Sequence, residues 1–190
     1  MTFTKVSCPF VDMPVTNTTL RREYRECAAW NDAVVARLRS LRPDLTLVAS
    51  SRIATHPVDK ADATAAARGA ATARLIERIP GRVGLIVDTP YAGRDVPACL
   101  SAHPADITRC WIDRDVAFTM SLGSAERAAA KASGADLVDL TGAFCPVRGQ
   151  CPVVIGKYLV YRDQGHITAT FAWSLAPQLA ALIEPLIPQP

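Results

Sequence analysis

Three short apolar runs alternate with helical segments, and this alternation restricts the fold more than any other feature of the sequence. The runs are LTLVAS (45–50), VGLIVD (83–88) and DLVDL (136–140). Continuously apolar strands of this length are typical of a parallel sheet whose two faces are both covered by helices. The sequence therefore predicts an α/β fold with a parallel sheet at its centre.

The segments between the apolar runs carry hydrophobic residues at helical spacing and end at residues that stop helices. The predicted helices cover residues 25–44, 59–81 and 113–134 and, at the end of the chain, the residues from about Ile167 onward. Pro43 ends the first helix, Pro80 and Gly81 end the second, and Gly123 is a weak point in the third. Residues 153–162 are predicted to form a small hairpin.

Size and composition indicate one globular domain over residues 1–190. The hydrophobic share of 49% and the charged share of 21% are ordinary for a soluble protein. The net charge is only +3 and the arginines form no basic run, so we expect no nucleic-acid partner. No apolar run reaches the roughly 18 residues of a membrane span. The first ten residues lack the apolar core of a signal peptide.

Six cysteines bear on the compartment and on the chemistry. They are Cys8, Cys27, Cys99, Cys110, Cys145 and Cys151. No two of them form a C-x-x-C pair and no histidine lies at a matching spacing, so we expect no metal site and no cofactor. Pairing neighbours along the chain is one of fifteen possible connectivities, and six reduced thiols in a cytosolic core are the alternative. We favour disulfides, and therefore an oxidising compartment.

An aspartate stands three residues before a histidine at the start of the last predicted helix. In a catalytic group, a carboxylate such as Asp163 fixes the tautomer of an imidazole such as His166, whose other nitrogen takes a proton from a serine. The same spacing has a plainer explanation, in which Asp163 only caps the helix. The spacing alone does not decide between the two.

The carboxyl ends of the predicted strands are the second place to look for a site. Ligands of open parallel sheets bind beyond these ends. Ser50, Ser51 and Arg52 leave the first run there and are candidate substrate-binding residues. Asp88 leaves the second run before Thr89 and Pro90, where an aspartate most often forms a turn.

The segment CPVVIGKYLVYRDQGHITATFAWSLAP (151–177) strongly resembles the end of the SGNH domains that are fused to bacterial membrane acyltransferases. The similarity extends to SCPF (7–10), to residues 24–52 and to VDTPYAGRDVPACL (87–100). It implies a flavodoxin-like fold of three layers, and it places the family's D-x-x-H element on Asp163 and His166. The resemblance also favours the disulfides Cys8–Cys27, Cys99–Cys110 and Cys145–Cys151.

The resemblance implies partners and a location as well. Domains of this kind help to acylate sugars of the cell surface, so we expect an acyl donor and a cell-surface carbohydrate acceptor as substrates. A membrane acyltransferase domain is the expected partner in the full-length protein, and the expected location is extracytoplasmic.

The chain departs from the family pattern at the nucleophile. The family's serine lies in a G-D-S motif at the exit of the first strand, upstream of the segment matched here by residues 5–10, and no G-D-S occurs in this chain. Residues 2–6 match the second strand. We therefore expect an N-terminally incomplete SGNH domain that lacks the first strand and is inactive alone. The alternatives are a shortened relative that has lost catalysis and a disulfide-stapled module of the cell envelope that only binds carbohydrate or a protein.

Overall fold

The structure, a computed structural model, describes residues 1–51, 55–119 and 121–188. The strands are β1 (Val15–Asn17), β2 (Arg22–Glu23), β3 (Leu45–Ala49), β4 (Thr55–Pro57), β5 (Arg82–Ile86), β6 (Ile112–Asp113), β7 (Asp136–Val138), β8 (Gln150–Cys151), β9 (Val154–Ile155) and β10 (Tyr158–Leu159). The helices are α1 (Arg25–Leu41), α2 (Ala65–Ile76), α3 (Val96–Ala102), α4 (Arg114–Thr119), α5 (Gly123–Ser133), α6 (Thr141–Phe144), α7 (Ala169–Ser174) and α8 (Ala176–Ile183). Three short 3-10 helices lie at Lys60–Asp62, Ile107–Cys110 and Glu184–Leu186.

The central sheet consists of parallel strands in the order β3-β5-β7. The α/β class and the three predicted strands are confirmed, although each strand ends one or two residues earlier than its apolar run. In this register Val48 lies beside Leu85, and Leu85 lies beside Leu137. These three side chains therefore share one face of the sheet.

That face of the sheet is covered by α1, α2 and α5. Val48 and Leu85 belong to one buried cluster with Val35 of α1, Ile76 of α2 and Ala129 of α5. The alanines allow α2 and α5 to approach closely. A Cβ atom on Gly69 would lie 2.8 Å from the Ala125 carbonyl oxygen, so the crossing leaves no room for a side chain there.

The other face of the sheet is open at β3, and so is the outer edge of that strand. Leu47 is 41% exposed. Helix α8, which contacts β7, has no buried residue. Leu186 of the last 3-10 helix covers part of this face, since a Cβ atom on Gly84 would meet it at 3.2 Å. No strand among the described residues pairs with the outer edge of β3.

A second buried cluster forms beside the sheet from residues 92–175. Its aromatic centre is Phe144, whose ring stands edge-on to Phe171 at 5.2 Å between centroids. Tyr161 and the half-cystines Cys110 and Cys151 are fully buried around it. The predicted hairpin is present here as the antiparallel pair β9–β10.

Three disulfides join residues that are close in sequence. The pairs are Cys8–Cys27, Cys99–Cys110 and Cys145–Cys151, which are the pairs that the family resemblance favours. Two of them lie in the second cluster and one joins the amino-terminal segment to α1.

Several details differ from the sequence-based predictions. Residues 2–6 form no strand, and the helix predicted at the end of the chain begins at Ala169 and not at Ile167 and is divided into α7 and α8. The predicted helix over 113–134 is split between Thr119 and Gly123, at the weak point that Gly123 indicated. An antiparallel sheet in the order β2-β1-β4 was not predicted, because its two- and three-residue strands are too short to show a period of two. None of the described helices is long and apolar enough to cross a membrane.

Candidate active site

Asp163 and His166 lie at the tip of a tight hairpin. Below the tip, the Arg162 amide donates to the His166 carbonyl oxygen and the Thr168 amide donates to the Val160 carbonyl oxygen, both at 2.9 Å. Tyr161 and Ile167 form an antiparallel bridge between these two bonds. The three-residue spacing therefore belongs to a turn between two extended segments, and the turn brings the two side chains together.

The Asp163 carboxylate accepts hydrogen bonds from backbone amides of the turn and also contacts the His166 imidazole. Its Oδ1 accepts hydrogen bonds from the amides of Gly165 (2.8 Å) and His166 (2.7 Å). These two backbone hydrogen bonds lower the pKa of Asp163 to about 2, and the bond from Gly165 makes the largest contribution. Its Oδ2 lies 2.8 Å from Nδ1 of the His166 ring. An ionised carboxylate only accepts, so Nδ1 carries the proton and Nε2 is left as the proton acceptor.

The helix that follows is capped by another residue. The Thr168 hydroxyl oxygen accepts from the Phe171 amide at 3.2 Å, and the same hydroxyl donates to the Leu159 carbonyl oxygen. Since α7 begins at Ala169, Asp163 lies too far from it to satisfy its first amides. The interpretation of Asp163 as a helix cap is therefore wrong.

A groove of about 1000 Å³ runs along the open edge of β3. Residues 1–8 form one wall, and residues 45–51 form the other. His166 lines the groove together with Ser50 and Ser51, at the carboxyl end of β3. The structure thus places these three candidate residues in the lining of one groove. Arg52, the remaining candidate, lies outside the described residues.

Ser50 has a structural partner in this groove. Its Oγ accepts a hydrogen bond from the Phe10 amide at 3.0 Å. This bond ties the segment after the first wall to the end of β3. Ser51 is exposed at the same end of the strand.

The first wall of the groove is fastened to α1. Besides the disulfide at Cys8, the Lys5 ammonium lies 5.7 Å from the centre of the Tyr24 ring and 5.6 Å from that of Trp30. The Tyr24 hydroxyl donates to the Val6 carbonyl oxygen at 3.0 Å. This arrangement could not be predicted from the sequence, because a lysine that lies between two aromatic rings has no fixed spacing from them.

Asp88 acts as a structural residue at the neighbouring strand end. Its carboxylate accepts from the Leu122 amide (3.1 Å) at the start of α5, and its own amide donates to Glu126 Oε2 (2.5 Å). Burial of Glu126 raises the pKa of that carboxyl to about 8. Asp88 thus joins the end of β5 to α5, and it does not form the local turn that its place before Thr89 and Pro90 predicted.

The residues that the structure describes include no group of three or more histidine, cysteine, aspartate or glutamate side chains placed to hold a metal ion. The six cysteines are all taken up by disulfides. Within the part of the chain that the structure describes, the Asp163–His166 pair is therefore not a member of such a group.

The chain belongs to the family of SGNH domains fused to AT3 domains, whose family model matches residues 1–181. A solved structure that matches is the periplasmic domain of a lipopolysaccharide acetyltransferase from Salmonella ser. Paratyphi A. It shares 16% sequence identity with this chain at a TM-score of 0.60, with 93% of this chain and 65% of that domain covered. This likeness shows a shared fold, and the chain spans 65% of the length of that relative. No curated protein sequence matches the chain.

Proposed function

We propose that this chain supplies the acid–base half of a Ser-His-Asp triad for acyl transfer. His166 Nε2 takes the proton of a serine hydroxyl as the serine oxygen attacks an acyl carbonyl, and Asp163 stabilises the imidazolium that forms. His166 then gives that proton to the group that leaves the acyl carbonyl, so that the acyl group stays on the serine and the imidazole is neutral again. An acceptor hydroxyl next attacks the acyl-serine while His166 takes the acceptor's proton, and His166 returns this proton to the serine oxygen as the acyl group passes to the acceptor. The observation that carries the proposal is the 2.8 Å contact between Asp163 Oδ2 and His166 Nδ1, on a residue that lines the groove.

The groove along β3 is the proposed position of the serine. A strand that continues the β3-β5-β7 sheet in parallel would end where β3 ends, beside Ser50 and His166. The family resemblance puts its serine at the exit of such a strand. We therefore take residues 1–190 to be one SGNH domain that is N-terminally incomplete and inactive alone, and no cofactor is needed for this chemistry.

The proposed substrates are an acyl donor and a cell-surface carbohydrate. The structural relative is the periplasmic domain of a lipopolysaccharide acetyltransferase, and domains of this family are fused to AT3 domains. By analogy, the partner is a membrane acyltransferase domain and the location is extracytoplasmic. The three disulfides support an oxidising compartment.

A binding module of the cell envelope is the second candidate. The groove of about 1000 Å³, with aromatic Trp30 in its lining, is the observation that favours it. In that case the groove binds carbohydrate or a protein segment, and the Asp163–His166 contact only stabilises the turn.

Hydrolysis of p-nitrophenyl acetate separates the two functions. The 190-residue chain should be no faster than its His166→Ala variant. A longer polypeptide, in which a strand with a terminal serine precedes Thr2, should lose about a thousandfold in rate or more on His166→Ala or Asp163→Asn. His56→Ala, which removes an exposed histidine of β4, is the matched control and should change nothing. If turnover by the longer polypeptide does not depend on His166, the proposal is wrong and the function as a binding module is favoured.

A further inference from the structure

Tyr161 has a buried hydroxyl two residues before the turn. Its side chain is fully buried and its ring lies 6.5 Å from that of Phe144. The hydroxyl donates to the Pro90 carbonyl oxygen at 2.8 Å. A phenylalanine would fill the same space in this cluster, so the hydroxyl contributes this one contact rather than packing.

A second bond joins the tip of the turn to the same loop. The Gly93 amide donates to the Gln164 carbonyl oxygen at 3.0 Å, and Gln164 lies between the two catalytic candidates. Gly93 has φ +68, a backbone conformation that favours glycine. The base and the tip of the hairpin are therefore both fastened to the loop 88–93.

The loop 88–93 is itself held by hydrogen bonds to two helices, α5 and α4. The Asp88 amide donates to the buried Glu126 carboxyl group of α5, and the Tyr91 amide donates to the Ala117 carbonyl oxygen of α4 at 3.1 Å. The hairpin tip is thus fastened to a support that follows directly from β5.

We propose that Tyr161 is a positioning residue that holds the Asp163–His166 turn against the loop 88–93. Loss of its hydroxyl frees the base of the hairpin and loosens the turn, while the ring remains packed. The two amides that reach the Asp163 carboxylate are part of that turn, so their hydrogen bonds weaken as it loosens. The proposal rests on the proposed role of the pair, but its test needs no turnover, and the two can therefore fail separately.

The test compares Tyr161→Phe with Tyr24→Phe in the 190-residue chain. Tyr24 also loses a hydroxyl–carbonyl hydrogen bond, but at the groove wall and not near the turn. The Asp163 pKa is followed by ¹³C NMR, and the His166 Nδ1–H signal by ¹⁵N NMR at neutral pH. We expect Tyr161→Phe to raise the Asp163 pKa from about 2 by about 0.5 or more and to weaken the Nδ1–H signal. Tyr24→Phe should leave both unchanged.

A purely structural role would give a different result. If Tyr161→Phe lowers the free energy of unfolding but leaves the Asp163 pKa and the Nδ1–H signal at their wild-type values, the positioning role is wrong. Gly93→Ala provides an independent test, because it strains the backbone whose amide donates to the Gln164 carbonyl oxygen. Its control is Gly156→Ala, at φ +59 in the hairpin β9–β10, where a Cβ atom meets nothing within 4 Å. Gly93→Ala should shift both NMR readouts, and equal effects of the two alanines would also overturn the proposal.

Discussion

The cluster around Phe144 and the outer edge of β3 are opposite extremes within one chain. Phe144 is 2% exposed, and two disulfides lie in its cluster. Leu47 of β3 is 41% exposed, and its strand has one edge that no described strand covers. The Asp163–His166 turn is attached to the closed region and its histidine lines the open one. The comparison teaches that the Asp163–His166 pair is held from the closed region, whereas the groove that its histidine lines is open.

The open edge is also a hazard for the isolated chain. An uncovered strand exposes a row of backbone amides and carbonyls that can pair with another molecule. Leu47 adds apolar surface next to that row. We therefore regard the closed region as the source of stability and the open edge as the place where a further strand belongs.

The largest expected effect separates the two regions directly. Phe144→Ala should lower the free energy of unfolding by about 3–5 kcal/mol, because it removes a buried ring and leaves a cavity. Leu47→Ala should lower it by less than about 1 kcal/mol, since the side chain is already partly in water. Urea denaturation followed by circular dichroism measures both. Equal losses would mean that the edge of β3 is packed as firmly as the cluster.

A longer polypeptide sharpens this comparison. If a strand fills the groove, Leu47 becomes buried, and Leu47→Ala should then cost about 2 kcal/mol or more. The same substitution in the 190-residue chain serves as the control. An unchanged small loss in both lengths would place the added segment elsewhere.

Removing one of the two disulfides of the closed region should give the next effect on stability. Replacing Cys99 and Cys110 together by alanine should cost about 2–4 kcal/mol, because the bridge restricts the unfolded chain. Denaturation of the double variant beside the wild-type chain, both without reductant, measures the loss. A double variant as stable as the wild type would show that packing alone holds the closed region.

The smallest expected effect is a pH dependence of the free energy of unfolding, caused by Glu126 of α5 on the covered face of the sheet. Burial holds the pKa of Glu126 at about 8, above its ordinary value of 4.5, so the folded state binds this proton more strongly than the unfolded state. The resulting stabilisation is fully present below pH 4.5 and is lost as the pH rises through about 8. Glu126→Gln should flatten this part of the stability profile between pH 5 and 9, measured by thermal unfolding. A variant profile parallel to that of the wild type would contradict the assignment.

The sequence predicted the centre of the fold well and its margins poorly. The runs that became β3, β5 and β7 are short and mainly apolar and alternate with helical segments, which is the pattern of a parallel sheet. Residues 2–6 have strand-forming composition, but they lie across the groove from β3, and none of the described strands pairs with them. A strand is defined by its neighbour, and a single segment cannot reveal whether that neighbour is present.

The candidate site was predicted in part for a related reason. The spacing of Asp163 and His166 is local, so the sequence could indicate that the two side chains meet. Their support is not local, because the hydroxyl of Tyr161 reaches Pro90 across 71 positions of the chain. A hydrogen bond of that range leaves no periodic pattern, and only the folded structure reveals it.

Labelling with a serine-directed phosphonate tests the central claim most directly. The account predicts that the 190-residue chain stays unlabelled, because the nucleophile of the proposed triad belongs to the strand that fills the groove. The longer polypeptide should be labelled on one serine before Thr2, and His166→Ala should abolish that label. Mass spectrometry of the digested protein locates the adduct. A His166-dependent adduct on Ser50 or Ser51 of the 190-residue chain would contradict the account, since the nucleophile would then lie within this chain.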